Sequence, residues 1–232
     1  MLGYRSNPDW RDMSDYLVHF TKDGPPSGDA YRNSLGILSQ GVLRPGSEPF
    51  GSARRDFYAQ GTQLCTCFSE IPLDRLGRLA GRRSRFGIGF RKDFIIANGG
   101  APVWYVDFGS PAHTSLEALK AEAAKAADPR AHPLWRLTPF IDVTGRPPKA
   151  PYTYNFDWER EWRVPGPLRF TPADVALLFI PAELHDAAWA FFEDAEREHL
   201  GPGYFCPYLD PQWPEDRIAE ALRSPRVRSR LG

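Results

Sequence analysis

Tyr154-Asn155-Phe156-Asp157-Trp158-Glu159-Arg160-Glu161-Trp162-Arg163-Val164 crowds the Glu159 and Glu161 carboxylates, two arginines and two indoles into a few positions. In an extended strand, side chains alternate between faces. Glu159, Glu161 and Arg163 then share one face, and Trp158, Arg160, Trp162 and Val164 share the other. The second set reads as a half-buried face, with the Arg160 stem over apolar surface and its guanidinium at the edge. The first set puts two acids and a base in a row, and enclosing it penalises the doubly charged form of the acids. That makes the stretch a candidate site. The alternative is a solvated edge strand whose Glu–Arg pair contributes little.

Around this stretch the chain has 232 residues, long enough to bury a sizeable core. Hydrophobic residues are 42% and charged residues 25%, a globular balance. Lys plus Arg and Asp plus Glu both number 29, so no global charge draws the chain to nucleic acid or membrane. No apolar run approaches the roughly 20 residues that span a bilayer, and the polar start is unlike a secretory signal. Cys65, Cys67 and Cys206 are too few for a disulfide scaffold, which fits a cytoplasmic protein. Cys65 and Cys67 lack a second cluster at ligand spacing, so they read as structural thiols and no metal is expected. The 23 prolines imply short elements joined by loops.

Working outward, Tyr16 to Thr21 reads as a strand, and Ala30 to Leu43 as a helix with Leu35, Leu38 and Val42 at helical spacing. Leu64 to Ile71 is a strand, Leu73 to Arg82 a helix, and Phe86 to Phe90 a strand whose glycines permit close approach of a ligand or backbone. A helical turn at Lys92 to Ala97, a strand at Pro102 to Phe108 and a helix at Leu116 to Ala127 follow. Asp174 to Ile180 is an apolar strand, and helices cover Leu184 to His199 and Pro214 to Leu222. The irregular order of strands predicts an α+β fold, one compact domain over residues 1–232 with a mixed or antiparallel split sheet. Its core spans 15–182, with a helical extension over 183–232. Arg54, Arg55, Arg83 and Arg85, interleaved with Phe57, Tyr58 and Phe86, are the candidate nucleic-acid-binding residues. Scattered solvated arginines are the alternative.

Taken together, these stretches resemble known families. Leu17-Val18-His19-Phe20-Thr21, followed by Ile37-Leu38-Ser39-Gln40-Gly41-Val42-Leu43, resembles the opening of ADP-ribosyltransferase folds of the DarT type. Glu159-Arg160-Glu161 is similar to the Glu-x-Glu motif that closes such sites. Cys67 to Leu73, Phe86 to Lys92 and Glu159 to Arg163 together resemble bacterial phage-defence proteins of the AbiGi antitoxin-like family, over roughly Tyr16 to Pro181. The resemblance implies NAD as substrate. Glu161 would hold the ribose and stabilise an oxocarbenium-like transition state, and Glu159 would serve the acceptor. His19, Thr21, Ser69, Phe86 and Arg163 would bind NAD, with Phe86 or Phe90 where related sites carry a stacking Tyr. Function would be ADP-ribosylation of nucleic acid or protein in abortive infection or a toxin–antitoxin system, with a cognate toxin or antitoxin protein as a further partner. A non-catalytic antitoxin or phage-sensing module of the same fold, and an NAD glycohydrolase, are the alternatives.

Overall fold

The computed structural model describes residue 5 and residues 7–26, 28–70, 72–145 and 157–223. Residues 154–156 of the stretch quoted above, the proline-rich segment from 146 and the basic tail beyond 223 lie outside the described residues. In chain order the regular elements are β1 (Tyr16–Phe20), α1 (Ala30–Gln40), β2 (Val42–Leu43), β3 (Cys65–Ser69), α2 (Gly77–Ala80) and β4 (Gly87–Arg91). Then come α3 (Lys92–Ala97), β5 (Ala101–Pro102), β6 (Trp104–Asp107), α4 (Pro111–Ala123), α5 (Leu134–Leu137) and β7 (Ile141–Thr144). The chain continues through β8 (Glu161–Pro165), β9 (Leu168–Arg169), β10 (Val175–Phe179), α6 (His185–Arg197), β11 (Tyr208–Leu209) and α7 (Glu215–Arg223). This is a mixed α+β chain with mostly antiparallel pairing. It divides into two compact units, one of residues 1–43, 68–95 and 169–232, the other of 44–67 and 96–168.

In the first unit β4 is central, antiparallel to β1 on one side and to β10 on the other. β1 also pairs antiparallel with the end of β3 through Val18 and Ser69, and β10 pairs parallel with β11. The apolar run at β10 is buried as its composition demands, and Leu17, Ile88, Phe90 and Leu177 are fully buried. The glycines of β4 do admit a close neighbour, and that neighbour is protein: a Cβ at Gly89 would stand 2.4 Å from Leu177 Cδ1.

Helix α1 begins at the Asp29 cap, whose carboxylate accepts from the Arg32 amide at 2.7 Å. It stops at Gly41, which is left-handed with φ 59°. Its buried face is Ala30, Asn33, Ser34 and Leu38, more polar than the expected leucine stripe. Asn33 explains this, because its amide donates to the carbonyls of Lys22 and Gly24 and ties down the preceding turn. Residues 183–223 belong to this unit and contribute β11 as well as helices. There Trp189, Phe192, Tyr204 and Tyr208 pack ring against ring. The Tyr204 hydroxyl donates to the Leu38 carbonyl at 2.7 Å, fixing this layer to α1.

In the second unit β5 runs antiparallel to β8, and β6 runs parallel to β7. A small core of Ala53, Ala59, Ala123, Leu134 and Trp135 packs with Tyr58 beside it. Gln63, also buried, donates to the Trp135 carbonyl and to the Thr138 hydroxyl. Several elements differ from expectation: Val42 and Leu43, expected at the end of the first helix, form β2, and the strand expected over Pro102 to Phe108 is divided between β5 and β6. The helix expected over Leu73 to Arg82 is a 3₁₀ turn at Leu73–Arg75 followed by the four-residue α2. The quoted acidic stretch is not one strand either: Asp157–Glu159 is a 3₁₀ turn, Arg160 has φ 45°, and β8 starts only at Glu161.

Gly51 shows how tightly the second unit closes. At φ 82°, a Cβ there would lie 2.1 Å from the Thr138 carbonyl oxygen. Gly51→Ala should therefore destabilise by roughly 3 kcal/mol. Gly61→Ala, at φ 91° with nothing within 4 Å, should cost only the backbone penalty of about 1–2 kcal/mol. Chemical denaturation of the two variants measures the difference, and equal losses would contradict the close contact.

Candidate active site around Glu161

Strand β8 carries the site. Its side chains alternate, with Trp162 and Val164 on one face and Glu161 and Arg163 on the other. Both faces are buried at their centres: Trp162 is 7% exposed and Arg163 0%. A fully buried guanidinium needs partners for its charge and its five N–H groups. Arg163 Nε donates to Glu161 Oε1 at 3.0 Å and Nη2 to Glu161 Oε2 at 3.0 Å, a two-point grip on one carboxylate. Nη2 also donates to Asp142 Oδ2 and Nη1 to the Pro139 carbonyl, each at 2.8 Å. The ring of Phe50 lies 4.9 Å from the guanidinium carbon. Burial works against the Arg163 charge, but Glu161 and then Asp142 outweigh it, so its pKa moves up.

Asp142 is 1% exposed on β7, and its other oxygen accepts from Arg54 Nη1 at 3.2 Å. Arg54, Asp142, Arg163 and Glu161 thus form a chain of alternating charges that sums to zero. Glu161 receives two more donors. The Tyr105 hydroxyl, from β6, reaches Oε2 at 3.2 Å. The Cys67 thiol donates to the same carboxylate, and burial followed by this carboxylate holds its proton well above the ordinary thiol range. Burial likewise pushes Cys65 up to about 11, so neither thiol is a ready nucleophile. Glu161 itself retains 11% side-chain exposure.

Glu159 does not join Glu161 and Arg163 on a strand face. It is half-buried at the end of the 3₁₀ turn, and the positive φ of Arg160 resets the alternation. The other expected residues fall in the first unit. His19 is half-buried on β1 with its ring 5.9 Å from Phe68. Thr21 is buried, and its hydroxyl points at the carbonyls of Ala30 and Phe86 at 3.0 and 3.2 Å. Ser69 is buried at the end of β3. Phe86 is half-buried, 5.4 Å from the exposed ring of Tyr31, whereas Phe90 is fully buried among Phe68, Phe94 and Phe170 and has no free face.

The arginines expected to meet nucleic acid divide between the units. Arg54 is exposed but engaged by Asp142, Arg55 is exposed in the same unit, and Arg83 is exposed in the first unit. Arg85 grips Glu183 through both terminal nitrogens and meets Asp210 through one of them. Asp210 also accepts from the amides of Ala182 and Gln212. Burial would raise the Asp210 carboxyl, but these amides and Arg85 outweigh it and hold it below its ordinary value. Among the described residues no group of three or more His, Cys, Asp or Glu is placed to hold a metal. No helix among them is long and apolar enough to cross a membrane.

Sequence reading missed Tyr105 and Asp142. A buried acid inside the apolar-flanked strand Ile141-Asp142-Val143 was the available signal for the second. Tyr105 carries no local sign of its partner. Comparison of the chain with family models, with curated proteins and with solved structures returns no match.

Arg163→Met leaves Glu161 and Asp142 buried without their shared cation, and it should destabilise by about 3–5 kcal/mol in urea unfolding. A loss below about 1 kcal/mol would place the pair in the class of solvent-screened bridges. For Asp210 the depressed carboxyl contributes stability in full above roughly pH 5 and loses it on acidification. The stability gap between wild type and Asp210→Asn should therefore shrink as pH falls from 5 toward 2. A gap that stays constant would contradict this linkage.

Proposed function

We propose that the chain is an NAD-dependent ADP-ribosyltransferase of a bacterial phage-defence or toxin–antitoxin system, acting in the cytoplasm on nucleic acid or protein and built on an ADP-ribosyltransferase-like sheet. The order of the sequence motifs supports this reading, and one observation carries it: Glu161 is a partly exposed carboxylate clamped side-on by a fully buried arginine. Such a group is preorganised, as stabilising a developing ribosyl cation requires. In the reaction, the bond between the ribose anomeric carbon and the pyridinium nitrogen breaks, and nicotinamide leaves neutral with the bonding pair. The acceptor's nucleophile then bonds to that carbon and loses its proton. Glu161 accepts from the ribose 2′-hydroxyl and faces the cation, and Glu159 takes or orients the acceptor proton. With water as acceptor, the same steps make an NAD glycohydrolase.

A second reading, a non-catalytic module that binds a cognate toxin, antitoxin or phage protein, is favoured by a different observation. The acceptor positions of Glu161 are taken by Arg163, Tyr105 and Cys67, and the Thr21 hydroxyl is turned onto backbone. In that case the Glu161–Arg163 pair is a structural pin.

NAD consumption by wild type and Glu161→Gln, with RNA, DNA and lysate supplied as acceptors, separates them. The transferase reading expects turnover by wild type and a loss of at least about 100-fold in the variant, with label on one acceptor. Absence of both NAD binding and turnover would move the assignment to the binding module.

A further inference from the structure

Elsewhere in the second unit an arginine lies over an exposed aromatic ring. Phe57 is 58% exposed, and the Arg130 guanidinium carbon stands 4.8 Å from its ring centre. One exposed phenylalanine is ordinary on a protein surface; what distinguishes this one is its setting. The Tyr58 ring meets that of Phe57 edge-on at 5.4 Å and packs on the small core of Ala53, Ala59 and Trp135. The preceding loop is pinned by Ser52, whose amide donates to the Thr138 and Ile141 carbonyls. Arg130 comes from the loop between α4 and α5, fixed where Trp135 Nε1 donates to the Pro129 carbonyl at 2.6 Å. Ring and guanidinium therefore rest on tethered backbone, which lowers the ordering cost of binding.

Charge sets the class of ligand. Arg55, two residues before the ring, and Arg130 are both exposed, and neither is paired with an acid among the described residues. The acids nearby in sequence are engaged. Lys120 Nζ holds Asp56 and Glu117, each at 3.0 Å, and Asp128 accepts from the Ala131 amide at 3.2 Å. A matching ligand offers a flat π-face to the ring and anions to the two guanidiniums. Bases and phosphates supply this pairing along a single strand, whereas a duplex keeps its base faces stacked on each other. An acidic peptide would satisfy the arginines and leave the ring without a π partner. We propose that Phe57, Arg55 and Arg130 form a docking surface for single-stranded nucleic acid, with a base stacked on the ring and phosphates at the guanidiniums. Neither contact reads the sugar, so RNA and DNA strands dock alike. The surface goes beyond the transferase reading and holds equally if the Glu161–Arg163 pair is a structural pin.

Fluorescence anisotropy of a labelled single strand of roughly 15 nucleotides, run through a salt series without NAD, tests this independently of turnover. Wild type should bind the strand more tightly than the same sequence as a duplex. Phe57→Leu should weaken binding about 5- to 100-fold at every salt concentration and leave the salt slope unchanged. Phe57→Trp keeps an aromatic ring and should bind at least as well as wild type. Arg55→Gln and Arg130→Gln should each reduce the slope of log K against log salt by about 0.7. No strand binding by wild type at low salt, or equal affinities of wild type and Phe57→Leu, would overturn the proposal. Preference for the duplex, or for a polyglutamate peptide over the strand, would overturn it too.

Discussion

Burying the charge of Arg163 is the constraint around which the second unit is organised. A guanidinium withdrawn from water is tolerable only with matched acceptors, since the uncompensated cost is several kcal/mol. Here it takes both oxygens of Glu161, one of Asp142 and the Pro139 carbonyl, with Phe50 over its face. Those partners come from β8, from β7, from the turn that leads into β7 and from the loop before β3. Satisfying one cation therefore ties four segments together, beside the backbone bonds from Ser52 to the Thr138 and Ile141 carbonyls. Arg54 completes the balance, because without it two acids would share a single buried base. A carboxylate gripped at both oxygens has one geometry, which a random surface glutamate lacks.

The first unit uses the same device at its own margin. Asp210 receives two backbone amides and Arg85, and Arg85 in turn holds Glu183. This joins the approach to β4, the start of the segment before α6 and the end of β11. Arg85 is thereby a fastener of the fold, although its position in a run of arginines reads as a surface for phosphate. His185 lies close by, its ring against Tyr208 and Trp213. Burial lowers its pKa against the opposing bond to the Ile180 carbonyl, which favours the neutral ring.

Periodicity made the local elements legible. The apolar run at β10 and the capped helix α1 follow from their own residues, and the pairing of Glu161 with Arg163 follows from their two-residue spacing on a strand. What periodicity could not convey was any contact made across strands. Tyr105 and Asp142 meet Glu161 and Arg163 from 56 and 21 residues away. The break at Arg160 was hidden as well. Alternation was read through it, yet a single positive φ there separates Glu159 from the face of Glu161. The leucines of α1 misled for a related reason: Asn33 is buried because of carbonyls in the preceding turn that its own helical spacing does not disclose. The glycines of β4 suggested close approach of a ligand or backbone, and what comes nearest to Gly89 is the Leu177 side chain.

The central claim is that Glu161 is a ligand-facing carboxylate held ready by Arg163, and a crystal structure of the protein soaked with ADP-ribose tests it most directly. The account predicts ribose density with a hydroxyl within hydrogen-bond distance of the Glu161 carboxylate and the Arg163 grip unchanged. Density elsewhere on the chain, or a ligand-free Glu161 at saturating ADP-ribose, would contradict it.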